Sequence, residues 1–230
     1  MNQIVTTGIV LTRREFGEAD RLLTVLTPDH GKVALIAKGV RRPKSKLAGG
    51  IELFSVSNIT YLQGRGAFNT LISSRLSTHY GQIVKNLERT MLGYDLLKIL
   101  NKATEDAVGE EYFELLRQTF IGLDNPELDR RIVELWFYMQ LLKLAGHTPN
   151  LRKDAAGNPL DATAKYFFDY ETVAFVPKEN AEYTPHHIKF LRLGFSVPAP
   201  AILGQVENAP DLLDASLNLV RAITVEHIRL

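Results

Sequence analysis

The sequence predicts an α+β multidomain protein, with a five-stranded β-barrel over 1–78 followed by an α-helical bundle over 79–230. As far as residue 76, short runs of alternating apolar residues are separated by turn signals, which is typical of strands with one buried face. After residue 79 the apolar period becomes that of a helix. The chain has 230 residues, 45% of them hydrophobic, so it can bury a substantial core.

Turn signals separate the predicted strands. One face of the first strand is predicted to consist of Val5, Thr7, Ile9 and Leu11. The second run ends at Pro28-Asp29-His30-Gly31, where proline presets a turn and glycine can take positive φ, so we expect a hairpin into 32–40. The run 51–63 changes phase as at a β-bulge, and Gly64-Arg65-Gly66 then turns into the last strand. Five short strands with a bulge fit a small closed barrel.

Helices are predicted from residue 83 onward. The first, ending near Ala103, is predicted to have one face made of Ile83, Leu87, Met91 and Tyr94. A second covers 110–123. The third is predicted to start at Asn125-Pro126 and end near Gly146. Because this third helix is apolar nearly all round, we expect it at the centre of the bundle.

The region after the third helix is predicted to be irregular over about 148–185. A short hairpin is expected within 166–175. Two further helices, about 185–195 and 210–227, would close the bundle. The buried stripe of the last helix is predicted to contain Leu213, Leu217 and Val220.

Several function classes lack their sequence signals. The chain has no cysteine, which excludes disulfides, thiolate metal sites and a cysteine nucleophile. The first residues lack a secretory signal and no run of 18 apolar residues occurs, so we expect a cytoplasmic protein. Phosphate-binding loops, nucleophile elbows and metalloprotease motifs are also missing from the sequence. We therefore expect no enzymatic activity and no cofactor.

The charge is distributed unevenly along the chain. The net charge is +1, yet residues 1–80 carry 11 Lys and Arg against 5 Asp and Glu, which leaves the remainder at −5. No acidic residue lies between Asp29 and Glu52, and this window includes the loop-like segment 39–46. Long cationic side chains on such a loop can reach phosphates, and their neutralisation releases counterions. The alternatives are a solvated surface loop, or a protein-interaction scaffold whose loop binds an acidic partner.

The residues predicted to contact nucleic-acid phosphates are therefore ten of the cations of the N-terminal region. They are Arg13, Arg14, Arg21, Lys32, Lys38, Arg41, Arg42, Lys44, Lys46 and Arg65. The aromatic residues available for base stacking are Phe16, Tyr61 and Phe68. A rival interpretation makes Glu15, Glu18, Asp20 and Asp29 the metal ligands of a nuclease. We favour instead that the acids around Gly17 shape a turn and pair with Arg21.

Four linked motifs in the first 45 residues carry a resemblance to a known family. They are Gly8-Ile9-Val10-Leu11, Gly17-Glu18-Ala19-Asp20-Arg21-Leu22-Leu23, His30-Gly31-Lys32-Val33 and Ala37-Lys38-Gly39-Val40-Arg41-Arg42-Pro43-Lys44-Ser45. In order and spacing they resemble the N-terminal domain of the RecO family of DNA repair and recombination mediators. Further along, Leu144-Ala145-Gly146-His147-Thr148-Pro149 is similar to the segment that precedes the zinc-binding insert of that family.

The resemblance implies a fold, a function and partners. It implies that the barrel is an oligonucleotide/oligosaccharide-binding (OB) fold joined to a helical domain. It also implies binding of single- and double-stranded DNA, strand annealing, and partnership with RecR and single-stranded DNA-binding protein in loading RecA. We expect the free protein to be a monomer.

The chain departs from the family at the zinc-binding insert. Many members carry Cys-x-x-Cys followed by Gly where this sequence reads Lys153-Asp154-Ala155-Ala156-Gly157. The histidines show no ligand spacing either; they are His30, His79, His147, His186, His187 and His227. We therefore expect no metal.

The resemblance also implies a receptor for the acidic, aromatic-ended tail of single-stranded DNA-binding protein. Such a receptor needs an apolar pocket flanked by cations. The predicted site consists of Leu116, Arg117, Phe120, Arg130 and Arg131. The alternative there is that Phe120 is a core residue and the arginines pair with nearby acids. The second choice is Lys189 and Arg192 beside Phe195.

Overall fold

The computed structural model describes residues 2–104 and 109–228. The chain packs as two compact units, Met1–Asp124 and Asn125–Leu230. Packing therefore groups the first two helices with the barrel, although the change from strands to helices occurs near residue 80. Among the described helices, none combines the length and apolarity required to cross a membrane.

The first unit contains the predicted barrel. Its strands are β1 (Gln3–Phe16), β2 (Asp20–Thr27), β3 (Gly31–Ala37), β4 (Ser55–Leu62) and β5 (Asn69–His79). They form a closed ring in the order β1-β2-β3-β5-β4, with β4 pairing back to β1. Within the barrel, β3 and β5 pair in parallel, and the other neighbouring strands are antiparallel. The predicted bulge in 51–63 is misplaced: the register shifts of the β4–β5 pair leave the extra residues on β5, where Ile72 and Ser77 have no partner on β4.

The predicted buried face of β1 is the outer side of the barrel. Ile4 and Val10 pack into the barrel core, whereas Val5 is 68% exposed. Ile9 and Leu11 are nevertheless buried, and α1 (Leu87–Ala103) contacts this strand. Both phases of β1 are therefore apolar because part of the outer face is covered by a helix. Because residues of both phases are apolar, the sequence of β1 alone does not show which side of the strand faces the barrel core.

The helix α1 buries a different face from the predicted one. Leu87, Met91 and Tyr94 are exposed by 73%, 58% and 48%. The buried positions are Arg89, Leu92, Gly93, Leu96, Leu97 and Leu100. The helix thus carries two apolar stripes, of which the leucine-rich one is longer. A second helix, α2 (Glu110–Asp124), matches its predicted span.

The second unit is built around α3 (Arg130–Leu144), which is buried on most sides as predicted. It begins later than expected because Asp129 caps it, accepting a hydrogen bond from the Arg131 amide at 2.8 Å. Asn125 instead accepts a bond from the Glu127 amide in the preceding turn. The helices α4 (Pro185–Ser196), α5 (Pro200–Leu203) and α6 (Ala209–His227) complete the bundle.

The insert forms a three-stranded sheet. Its strands are β6 (Asn150–Asp154), β7 (Tyr166–Asp169) and β8 (Ala174–Pro177), arranged in the order β6-β8-β7. The β7–β8 hairpin was predicted. Phe175 is fully buried and makes edge-on ring contacts with Tyr166, Phe168 and Tyr183. Aromatic packing thus supplies the core of this sheet. Within the described residues no group of three or more His, Asp or Glu could hold a metal ion.

Candidate nucleic-acid interface

The outer face of β1, β2 and β3 is partly exposed to solvent near the β1–β2 hairpin. Register places Arg14 opposite Leu22, and Leu22 opposite Ile36. These residues alternate with the core residues Leu23 and Leu35, so they lie on the outer side. Arg14 is exposed, and the other two are half-buried. The uncovered surface is therefore a mixed apolar and cationic strip.

The segment that follows β3 consists of two successive turns and carries the cations predicted to bind DNA. We call residues 38–46 the basic loop. The Arg42 amide donates to the Gly39 carbonyl at 3.1 Å, and the Ser45 amide donates to the Arg42 carbonyl at 3.0 Å. Gly39 has φ of 63°, which favours glycine. The loop therefore has a defined backbone path.

The β1–β2 hairpin holds the base of the basic loop. Asp20 Oδ1 accepts a hydrogen bond from the Gly39 amide at 2.7 Å, and the Ala19 carbonyl accepts one from the Arg41 amide at 2.9 Å. The guanidinium of Arg41 lies 3.3 Å from Glu15 Oε2. The sequence predicted that the acids around Gly17 pair with Arg21. In the structure, Asp20 and Glu15 anchor the basic loop instead.

Other cations of the basic loop have no carboxylate partner among the described residues. Four of them are exposed and form no salt bridge with any described residue: Lys38, Arg42, Lys44 and Lys46. Arg14 and Arg65 are likewise exposed and unpaired within the described part of the chain. These six side chains can approach a polyanion without first breaking an ion pair. They place exposed positive charge on the barrel and its loops.

Three predicted cations are less available. Arg13 forms a salt bridge of 2.8 Å with Glu52. Lys32 Nζ donates to the Asn101 carbonyl at 2.7 Å, near the end of α1. Arg21 is half-buried, opposite Glu15 in the β1–β2 register. Arg13 and Lys32 therefore have a structural role, because their charged groups already make contacts within the first unit.

Sequence reasoning did not include Arg75. It is exposed on β5, opposite the exposed Asn58 of β4. The alternation of Leu71 and Ser74 on the inside with Arg75 on the outside becomes visible only once the bulge in β5 is known. It adds a cation to the outer surface of the β4–β5 pair.

The three aromatic candidates differ in exposure. Phe16 and Phe68 are 51% and 43% exposed, so their rings can contact a ligand. Tyr61 is 2% exposed and belongs to the barrel core. Burial, with a smaller contribution from Asp29, raises the pKa of its hydroxyl. The prediction of a stacking role for Tyr61 is therefore wrong, because its ring offers no open face.

The apolar part of the predicted tail receptor is core. Leu116 and Phe120 have no exposed surface, and the Phe120 ring packs against Phe54 and Tyr80 at 5.6 and 5.5 Å between centroids. The hydrogen bond from Arg117 at 2.6 Å lowers the pKa of Glu114. The site was thus misassigned: Phe120 stabilises the first unit, as the alternative interpretation held.

The remaining cations of that predicted receptor belong to the second unit. Arg131 pairs with Asp129 at 2.9 Å and with Asp214 at 3.0 Å. Burial opposes ionisation of Asp129, but the hydrogen bonds from Arg131 outweigh it and lower the pKa of Asp129. Arg130 is half-buried. Arg131 therefore secures the start of α3.

Comparison with known protein families accounts for nearly the whole chain. The family model described as "Recombination protein O N terminal" matches residues 1–79, and "Recombination protein O C terminal" matches residues 84–229. This chain belongs to the RecO family. The OB-type barrel, closed by five strands, agrees with the family's N-terminal domain.

Three relatives of this chain bear the name DNA repair protein RecO. The relative from Desulfatibacillum aliphaticivorans is 33% identical over 66% of this chain and 60% of its own length. That from Dehalococcoides mccartyi is 32% identical over 70% and 64%. That from Halalkalibacterium halodurans is 30% identical over 79% and 70%. The matched segment thus spans less than two thirds of the first two relatives.

Proposed function

We propose that this RecO-family chain acts in DNA repair as a DNA-binding recombination mediator without a catalytic site. It binds single- and double-stranded DNA through the basic loop and the uncovered outer face of the barrel. The observation that carries the proposal is a set of exposed cations, without carboxylate partners among the described residues, on a loop tied to an OB-type barrel. Barrels of this kind commonly bind strands in a charged groove.

The side chains of the basic loop and of the end of β1 fit a nucleic-acid strand. Arg42, Lys44 and Lys46 can contact phosphates, and such contacts supply affinity that does not depend on sequence. Phe16 is exposed at the end of β1 and offers a ring on which a base can stack. Neither interaction requires a metal or a nucleophile. We therefore propose that the chain binds DNA without using ATP.

The family assignment supports the rest of the proposed role. We infer that the chain promotes strand annealing and, with RecR, helps load RecA onto strands coated by single-stranded DNA-binding protein. We also infer that it works in the cytoplasm and is a monomer when free. The receptor for the acidic tail of single-stranded DNA-binding protein is proposed away from Leu116 and Phe120, because these side chains are buried.

A titration with bare oligonucleotides tests the proposal. Fluorescence anisotropy with labelled single- and double-stranded DNA, repeated over a range of salt concentrations, should give affinities that fall steeply as salt rises. Charge reversal at Arg42 and Lys44 should weaken binding to both. If bare DNA does not bind while an acidic protein partner does, the basic loop belongs to a protein-interaction scaffold and the proposal fails.

A further inference from the structure

A cationic cleft lies within the second unit. It is open to solvent and has a volume of about 590 Å³. The end of α3, the start of β6 and the end of α4 form its walls. Leu151 and Phe195 are buried residues that contribute apolar lining.

Three cations line this cleft, and no acidic side chain does so among the described lining residues. Lys143, Arg152 and Arg192 have no carboxylate partner in the described part of the chain. Arg192 Nε donates to the Leu151 carbonyl at 2.7 Å, and Lys143 Nζ donates to the Phe195 carbonyl at 3.1 Å. The terminal guanidinium nitrogens of Arg192 and the remaining ammonium hydrogens of Lys143 stay available.

The neutral groups of the cleft also favour donation. Asn150 Oδ1 accepts bonds from the Arg152 and Lys153 amides, both at 3.0 Å, so its amide nitrogen is left as a donor. The hydroxyl of Thr148 is exposed and can donate as well. The lining therefore combines many donors with full positive charges, as a ligand with several acceptor oxygens and negative charge requires.

Two helix ends oppose this positive charge, but they do not cancel it. The carboxyl ends of α3 and α4 face the cleft, and each contributes roughly half a negative charge. The lysine and two arginines contribute three full positive charges. In addition, the Phe195 and Gly194 carbonyls at the end of α4 already accept bonds from Lys143 and Gln140. The cleft remains cationic.

We propose that this cleft is a phosphate-binding site. A phosphate group offers more acceptor oxygens than a carboxylate and therefore matches the number of donors better; it carries one negative charge in a nucleic-acid strand and up to two as a monoester or free ion. Arg152 and Arg192 would contact its oxygens, with Asn150 and Thr148 completing the shell. The phosphate belongs either to a nucleic-acid strand or to a small molecule. The proposal does not depend on the basic loop.

Titration of the full chain with inorganic phosphate at constant ionic strength is the direct test, followed by amide chemical shifts in NMR spectra. Saturable shifts are expected at Thr148, Leu151 and Ser196. The variant Arg152→Glu should raise the dissociation constant for phosphate by at least about tenfold, because the charge reversal replaces attraction by repulsion at close range. Lys153→Glu is the matched control, since it makes the same charge change at the next residue of β6 outside the lining. It should weaken binding by less than about threefold.

Further arms identify the source of the phosphate. Oligothymidine is titrated against a variant with Arg42→Glu and Lys44→Glu in the basic loop. Residual binding that depends on Arg152 would assign the site to strand phosphates; binding of inorganic phosphate alone would assign it to a small molecule.

The proposal is overturned if inorganic phosphate gives no saturable shifts, if the two β6 variants weaken binding equally, or if only an acidic peptide saturates the cleft. Circular dichroism checks that each variant is folded, and Arg152→Gln should show an intermediate loss.

Discussion

Replacing Arg42 and Lys44 together with alanine should flatten the salt dependence of single-strand binding. Each phosphate contact contributes about −0.7 to the slope of log affinity against log salt, so two lost contacts change the slope by about 1.4. Both side chains are exposed and lack carboxylate partners among the described residues, so their full charge is available. Arg41 differs, because it must first leave Glu15 at 3.3 Å. Its replacement should therefore change the slope by less than about 0.7.

Fluorescence anisotropy of a labelled oligothymidine between 50 and 200 mM salt measures this effect. Over that fourfold range, a slope difference of about 1.4 means that the parent loses about sevenfold more affinity than the variant. The control removes the same charge elsewhere in the first unit, by replacing Lys98 and Lys102 on the exposed side of α1 with alanine. If the two double variants show equal slopes, the loop makes no localised phosphate contacts and the assignment of its cations is wrong.

Three other results are expected. Phe120→Ala should lower the free energy of unfolding by about 3–5 kcal/mol in urea denaturation, because it empties a fully buried site, whereas Ile121→Ala, at a position 42% exposed, should cost much less. Chelator treatment should leave the melting temperature unchanged, because aromatic packing around Phe175 forms the core of the insert; a stoichiometric zinc whose removal lowers that temperature would contradict this. Burial lowers the pKa of His187 below 6.5, so the unfolded state binds the proton more readily. The contribution of His187 to stability is present above pH 6.5 and is lost as pH falls through its folded-state pKa. The variant His187→Gln should remove this part of the pH dependence of the free energy of unfolding, measured by urea denaturation.

The strand order of the barrel could not be derived from periodicity alone, but the number of strands and their turns could. Turn residues such as Pro28 and Gly31 act locally, so their effect is visible in sequence. The faces of β1 and α1 depend on which neighbours cover them. Ile9 lies on the outer side of the barrel and is buried, while Leu87 is apolar and exposed. Local spacing identifies both as apolar but carries no information about their coverage.

The candidate site shows the same division. The cations of the basic loop follow directly from composition, since they are exposed and close in sequence. Their partners do not, because Glu15 and Asp20 reach the loop through the β1–β2 hairpin. Tyr61 and Phe120 were misplaced for a related reason: an aromatic side chain suits both a stacking platform and a core, and only tertiary packing decides between them.

The anchoring of the basic loop makes a carboxylate favourable to the binding of a polyanion. Asp20 repels phosphate as a charge, yet its bond to the Gly39 amide holds the loop against the barrel. Fixing a residue's backbone costs about 1–2 kcal/mol of conformational entropy, and in this loop part of that cost is met during folding rather than on association. The cations therefore meet an incoming strand at a fixed spacing from the barrel surface. A count of charges would rank Asp20 among the residues that hinder association. Its loss would instead release the basic loop from the barrel and make it flexible.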